Sequence, residues 1–173
     1  MIDGRPLPEL WAEIPGLEAA VAAGLAPLGR TAGISFGELS DRVARLHGKP
    51  ILIEPHADAL YGALKGLWVQ EPQQSRILIS STDSRLYQVH CILHEYGHIL
   101  MDHPDCGAFP TSLLDLGRPQ KVRARQARPD WATAAPGESA ADVQIEGEAE
   151  YIAHRLAADL FRPRGYDDEQ LWG

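Results

Sequence analysis

The residues His94-Glu95-Tyr96-Gly97-His98 spell H-E-x-x-H. On a helix, positions i and i+4 stand one turn apart on the same face, so His94 and His98 can present ring nitrogens to one metal ion. Glu95 is angled toward the same pocket, where a carboxylate can take a proton from metal-bound water instead of ligating the metal. The flanking Ile92, Leu93, Ile99, Leu100 and Met101 are apolar, and no proline falls between Asp83 and Asp102. The plainer alternative is a surface helix that happens to carry two histidines and a glutamate. The apolar flanks speak against it, because charged and imidazole groups in such a setting need partners.

Two histidines leave a catalytic zinc short of one protein ligand, since such sites usually have three plus a water. The residues alone leave Glu146, Glu148, Glu150, His154, His103 and His90 as candidates. Glu146 shares a helix face with Ala149, Glu150 and Ala153, and the two alanines would let that helix approach the H-E-x-x-H helix closely. Glu148 points elsewhere on the wheel and reads as a solvated acid. His90 extends the ladder His90, His94, His98; it could line the cleft and stabilise an oxyanion, or be a half-buried structural histidine. His154 lies one turn beyond Glu150 and can pair with it. His103, five residues after His98, reads as a helix-end residue or one that supports a ligand from behind. Cys91 reads as a small buried residue one turn before His94.

The elements that must position these groups predict an α+β fold. Residues 8–28 look helical, interrupted at Pro15-Gly16, with Trp11, Ile14, Leu17, Val21 and Leu25 along an apolar stripe. A second helix is predicted from Phe36 to Leu46, with Ser35 and Glu38 as a capping box and Gly48 as terminator. These two helices lack the basic residues of a recognition helix, so a DNA-binding helix-turn-helix is not favoured. Apolar runs at Ile51–Ile53, Leu67–Val69 and Ile77–Ile79 predict about three strands, and the polar turn Glu71–Ser75 pairs the last two as a hairpin. We expect a small antiparallel sheet packed on the H-E-x-x-H helix, which Thr82, Asp83 or Ser84 can cap. A C-terminal helix from Ala140 runs to Pro163, and its apolar positions include Val143, Ala149, Ile152, Ala153 and Leu156.

The 173 residues read as one domain, large enough for a real core. Its parts are a helical N-terminal part (1–48), the sheet and H-E-x-x-H helix (49–102), a long basic loop (103–139), the C-terminal helix (140–163) and a tail (164–173). No signal peptide and no membrane-spanning run are visible, and two cysteines form no disulfide framework, so a reducing cytoplasm is expected. Net charge is −8, which argues against general affinity for nucleic acid. The segment Arg118–Arg128 nevertheless holds five cations and no acid, so the rest of the chain carries −13.

The pairing of H-E-x-x-H with the downstream Glu146-x-Glu148-Ala149-x-x-Ile152-Ala153-x-x-Leu156 resembles the ImmA/IrrE family of metallopeptidases. The likeness covers roughly residues 51–163, with Ile152 in place of an aromatic, Ala157 in place of a second leucine, and a longer gap between the motifs. The resemblance implies that Glu146 is the third ligand of one zinc ion per chain, beside His94 and His98, and that Glu95 is the catalytic base. It also implies a zinc-dependent endopeptidase that cleaves a protein transcriptional regulator of the helix-turn-helix repressor type at one site, in a stress-response or mobile-element setting. The basic loop could then be an exosite for an acidic partner surface. The rival expectation is a regulatory or toxin–antitoxin-type binding protein that keeps the metal fold without proteolysis.

Overall fold

In a computed structural model, residues 6–56, 66–104 and 139–162 are described. They form an α+β arrangement of five α-helices and one three-stranded sheet. Helices α1 (Leu7–Ala12) and α2 (Leu17–Leu25) are separated at Pro15-Gly16, where Gly16 takes φ +71°. A short 3-10 turn, Ala26–Leu28, ends this N-terminal run.

Helix α3 (Phe36–His47) begins where predicted: the Ser35 hydroxyl accepts a hydrogen bond from the Glu38 backbone, and Gly48 closes the helix at φ +77°. The capping box is only half made. The Glu38 carboxylate instead accepts from Arg42, one turn on, at 2.7 Å. Charge-assisted pairing with a guanidinium outcompetes a reach back to a backbone amide.

The sheet corrects an expectation. Strands β1 (Ile51–His56), β2 (Gly66–Gln70) and β3 (Ser75–Ser80) are ordered β1-β3-β2, and the sheet is mixed, not antiparallel. β2 and β3 form the predicted hairpin, closed by the Glu71 amide on the Gln74 carbonyl, but β1 runs parallel to β3. A short apolar run fixes strand character without fixing direction. Direction is legible only where a tight turn forces it.

Trp68, Ile77 and Ile79 turn one face of the sheet into the core. There they meet Cys91, Ile92, Leu93 and Tyr96 of α4 (Arg85–Leu100). The buried Trp68 indole donates to Ser75 at 3.1 Å, and His47 of α3 lies 2.7 Å from the same hydroxyl. Helix α4 is the central element: it touches β2 and β3, α3, and above all α5 (Ala140–Leu160). Ser84, among the predicted candidates, caps α4 by accepting from the Tyr87 amide. Ser139 and Asp142 make a reciprocal capping box at the start of α5.

Tyr96 ties α4 to α3 by donating to Ser40 at 2.8 Å and stacking on Phe36. Thr31 donates to Asp159 and so anchors the end of α5. No helix among the described residues is long and apolar enough to cross a membrane. The basic segment 118–128, Cys106, Trp131 and the tail 164–173 lie outside the described residues, as does the connector 57–65.

Candidate metal centre

Helices α4 and α5 run antiparallel and face each other through polar side chains set in an apolar surround. His94 and His98 are buried on α4 and Glu146 is buried on α5. The two histidine Nε2 atoms lie 3.1 Å apart. Glu146 reaches both, with Oε2 at 3.3 Å from His94 Nε2 and Oε1 at 3.7 Å from His98 Nε2. Two imidazole nitrogens and one carboxylate, drawn from two helices and converging within 4.8 Å of one another, make a group able to hold a metal ion.

Each ring is oriented from behind. His94 Nδ1 lies 3.1 Å from Glu150 Oε2, so its N–H donates to that carboxylate and its Nε2 faces the centre. His98 Nδ1 lies 2.9 Å from His103 Nδ1, and His103 Nε2 lies 2.9 Å from Glu148 Oε2. One proton arrangement satisfies this chain: His98 Nδ1–H donates to His103, and His103 Nε2–H donates to Glu148. Gln144 donates to the other Glu148 oxygen at 2.9 Å. Histidines that ligate metals characteristically donate their second N–H to such partners, which fixes tautomer and ring orientation.

The local fold explains how His103 arrives there. After Leu100, Asp102 adopts the left-handed conformation at φ +48°. The His103 amide then donates back to the His98 carbonyl at 3.0 Å, and the Asp102 amide to Ile99 at 3.2 Å. This is a Schellman-type ending in which aspartate stands where glycine is usual. It folds the chain back over the helix end and seats His103 against His98.

Glu148 is the one acid that helix-wheel reasoning misplaced. It is not a solvated surface group; it is buried with only 6% of its surface exposed and holds His103. Glu146 and Glu148 lie about 200° apart on the wheel, so they do face different ways. The wheel omits the turn after α4, which covers the second face. The signal available in the sequence was His103-Pro104 directly after the helix.

The electrostatics follow from this packing. Burial opposes charging of His94, but its hydrogen bonds to Glu146 and Glu150 outweigh that cost and raise its pKa to about 10. Burial likewise pushes Glu146 up, and the bonds from His94 and His98 overcome it, holding the carboxyl well below the usual range. Glu150 behaves the same way, with His154, His90 and His94 around it.

Glu95 is fully buried on α4, next to His94 in sequence, and Gly66 at the start of β2 makes room for it. His90 and His154 converge on Glu150 and take no part in the His94–His98–Glu146 group. Of the two readings open for His90, the half-buried histidine is the one seen: its side chain is 29% exposed and its Nε2 is directed at Glu150. Cys91 is buried against the core.

No protein-family model, curated protein sequence or solved structure matches this chain.

Proposed function

We propose that the chain is a zinc-dependent endopeptidase whose ligands are His94, His98 and Glu146 and whose general base is Glu95. The observation that carries this reading is the convergence of two oriented histidine Nε2 atoms and one carboxylate, with a second, buried carboxylate, Glu95, following His94 directly in α4.

The donor set suits zinc. Protein nitrogen and oxygen ligands lie about 2.0–2.1 Å from zinc in tetrahedral sites, so neighbouring donors should stand about 3.3 Å apart. The separations of 3.1, 3.3 and 3.7 Å bracket that value. An ion held there supplies Lewis acidity that polarises a carbonyl oxygen and acidifies water.

The chain's own residues supply the rest. Glu150 and His103 orient the two imidazoles with Nε2 facing the centre, where an ion would replace the proton that the raised pKa of His94 keeps on its ring. Glu95 accepts the proton of the attacking water and passes it to the leaving amine, the role that a buried carboxylate one residue from a ligand histidine can fill. Hydrolysis of a peptide bond in a protein transcriptional regulator, in the cytoplasm, is the substrate reading that follows from the sequence resemblance. The basic segment 118–128 is proposed as its exosite.

The test compares wild type, Glu95→Gln and Glu146→Ala, each loaded with zinc. Metal content is read by elemental mass spectrometry and cleavage of a proteome-derived peptide and protein mixture by peptide mass spectrometry. Wild type should bind zinc and cut; Glu95→Gln should keep zinc and lose nearly all cutting; Glu146→Ala should lose the tightly held zinc and the cutting. A zinc-loaded wild type that cuts no more than Glu95→Gln overturns the peptidase reading.

A further inference from the structure

The two facing helices carry ladders that repeat at one-turn intervals. On α4 the rungs are His90, His94 and His98; on α5 they are Glu146, Glu150 and His154. At the centre already described, His94 Nε2 lies 3.3 Å from a Glu146 oxygen. One turn along, His90 Nε2 lies 3.2 Å from Glu150 Oε1, and His154 Nε2 lies 3.4 Å from the same oxygen. The three donor atoms all fall within 4.8 Å of one another. We propose that His90, Glu150 and His154 form a second divalent-cation site, selective for borderline ions such as Zn2+, Co2+ or Ni2+.

Three features support a binding site over a chance cluster. The donor types are again two imidazoles and one carboxylate, and the two distances to Glu150 Oε1 bracket the roughly 3.3 Å edge of a tetrahedral site. The rings are held in place by aromatic neighbours: Trp11 packs edge-on to His154 at 5.0 Å between centroids, and Tyr87 stacks on His90 at 6.1 Å. The site is also reachable. The His90 and His154 side chains are 29% and 41% exposed. They border a cavity of about 390 Å3 lined further by Tyr87, Leu86 and Phe161.

Glu150 is the hinge between the two centres. Its Oε1 faces His90 and His154, while its Oε2 accepts from His94 Nδ1 at 3.1 Å. An ion in the second site would therefore use the oxygen that His94 leaves open. Partial exposure predicts weaker binding than at the buried centre, because water and protons compete more freely for the donors. The inference is independent of the peptidase reading, since it concerns cation binding alone.

The experiment titrates the chelator-stripped full chain with Zn2+ alone by calorimetry, with Co2+ absorption as an independent readout. Wild type should take up two equivalents, the second more weakly. His90→Gln and His154→Gln, both at partly exposed positions, should each weaken the second event by roughly tenfold or more and leave the first in place. Glu146→Ala should lose the tight event and keep the weaker one. Failure of that variant to lose the tight event would count against the first centre and not against this one. A wild type that binds one equivalent overturns the second site, as does a second equivalent that persists unchanged in both histidine variants. Circular dichroism on each variant confirms that lost binding is not lost folding; if one histidine variant unfolds, the other decides.

Discussion

A Cβ placed on Gly97 would lie 2.8 Å from both the Cα and the carbonyl oxygen of Ala149. Glycine at this H-E-x-x-H position is what lets α4 and α5 meet backbone to backbone, and that approach carries Glu146 to the two histidines. Gly97→Ala must push α5 away, because backbone atoms cannot yield as a side-chain tip can. We expect a stability loss of about 1–3 kcal/mol, the range for overpacking a dense core. Zinc affinity should fall with it, even though no ligand has changed. Thermal unfolding and competitive zinc titration of the variant check both; unaltered affinity would show that the helix spacing is not what sets the centre.

Gly66 plays the corresponding part for Glu95. A Cβ there would come within 3.0 Å of Glu95 Oε1 and 3.4 Å of Cys91 Cβ. The contacting oxygen is the end of a side chain, so Gly66→Ala should fold by displacing the carboxylate a few tenths of an ångström. A general base depends steeply on position. Turnover should therefore drop at least several-fold while metal content stays at the wild-type level. Equal loss of metal and turnover would point to general damage instead.

The chain from His98 through His103 to Glu148 orients His98, one of the candidate metal ligands. His103→Ala and Glu148→Gln should each weaken zinc binding by about 10–100-fold, the usual effect of removing a partner behind a ligand histidine. Asp102→Val should act in the same direction by opposing the left-handed turn at φ +48°, whereas Asp102→Gly should be tolerated. Zinc dissociation constants from competition with a chromophoric chelator distinguish these outcomes.

Removing metal should expose how much of the stability is borrowed from it. An ion present at about a thousand times its dissociation constant adds about 4 kcal/mol to the folded state. Scanning calorimetry with and without a strong chelator should show a melting temperature lowered by several degrees or more. Coincident transitions would mean that no ion is bound.

On the sheet, Arg76 donates to both oxygens of Glu54 across the β1–β3 pair, at 3.0 and 2.6 Å. These hydrogen bonds hold the Glu54 pKa below its ordinary value of 4.5 against the opposing effect of burial. A lowered folded-state pKa gives stability that is present above the unfolded value and lost as pH falls through the folded one. Glu54→Gln should therefore be less stable than wild type at neutral pH. The difference should be under about 1 kcal/mol, since the pair is partly solvated. It should shrink toward zero in acid, as pH falls below 4.5 and through the lowered folded-state pKa. Urea unfolding at several pH values checks the trend; a gap that is constant with pH would remove the ion pair as its cause.

Much of this was already written in local sequence. The bounds of α3, α4 and α5 follow from caps and periodicity: Ser35, Ser84 and Ser139 start them, and Gly48 or the end of the apolar pattern stops them. The i, i+4 spacing of His94 and His98 put two candidate ligands on one face, and the alanines at 149 and 153 marked the side of α5 that approaches. Those features depend on neighbours within a turn or two, so one dimension suffices to read them.

The rest depends on contacts between residues far apart in the chain, and only the tertiary structure decided it. β1 pairs parallel to β3 because strand direction is set by how the chain returns, not by the apolar run itself. Glu148 is buried because a left-handed turn at Asp102 folds His103 over it, a covering that no helical wheel contains. Glu150 faces His90, His94 and His154 at once because two helices meet at Gly97 and Ala149. Sequence spacing placed each set of side chains along its own helix. The packing of one helix on the other determined which of them could share an ion.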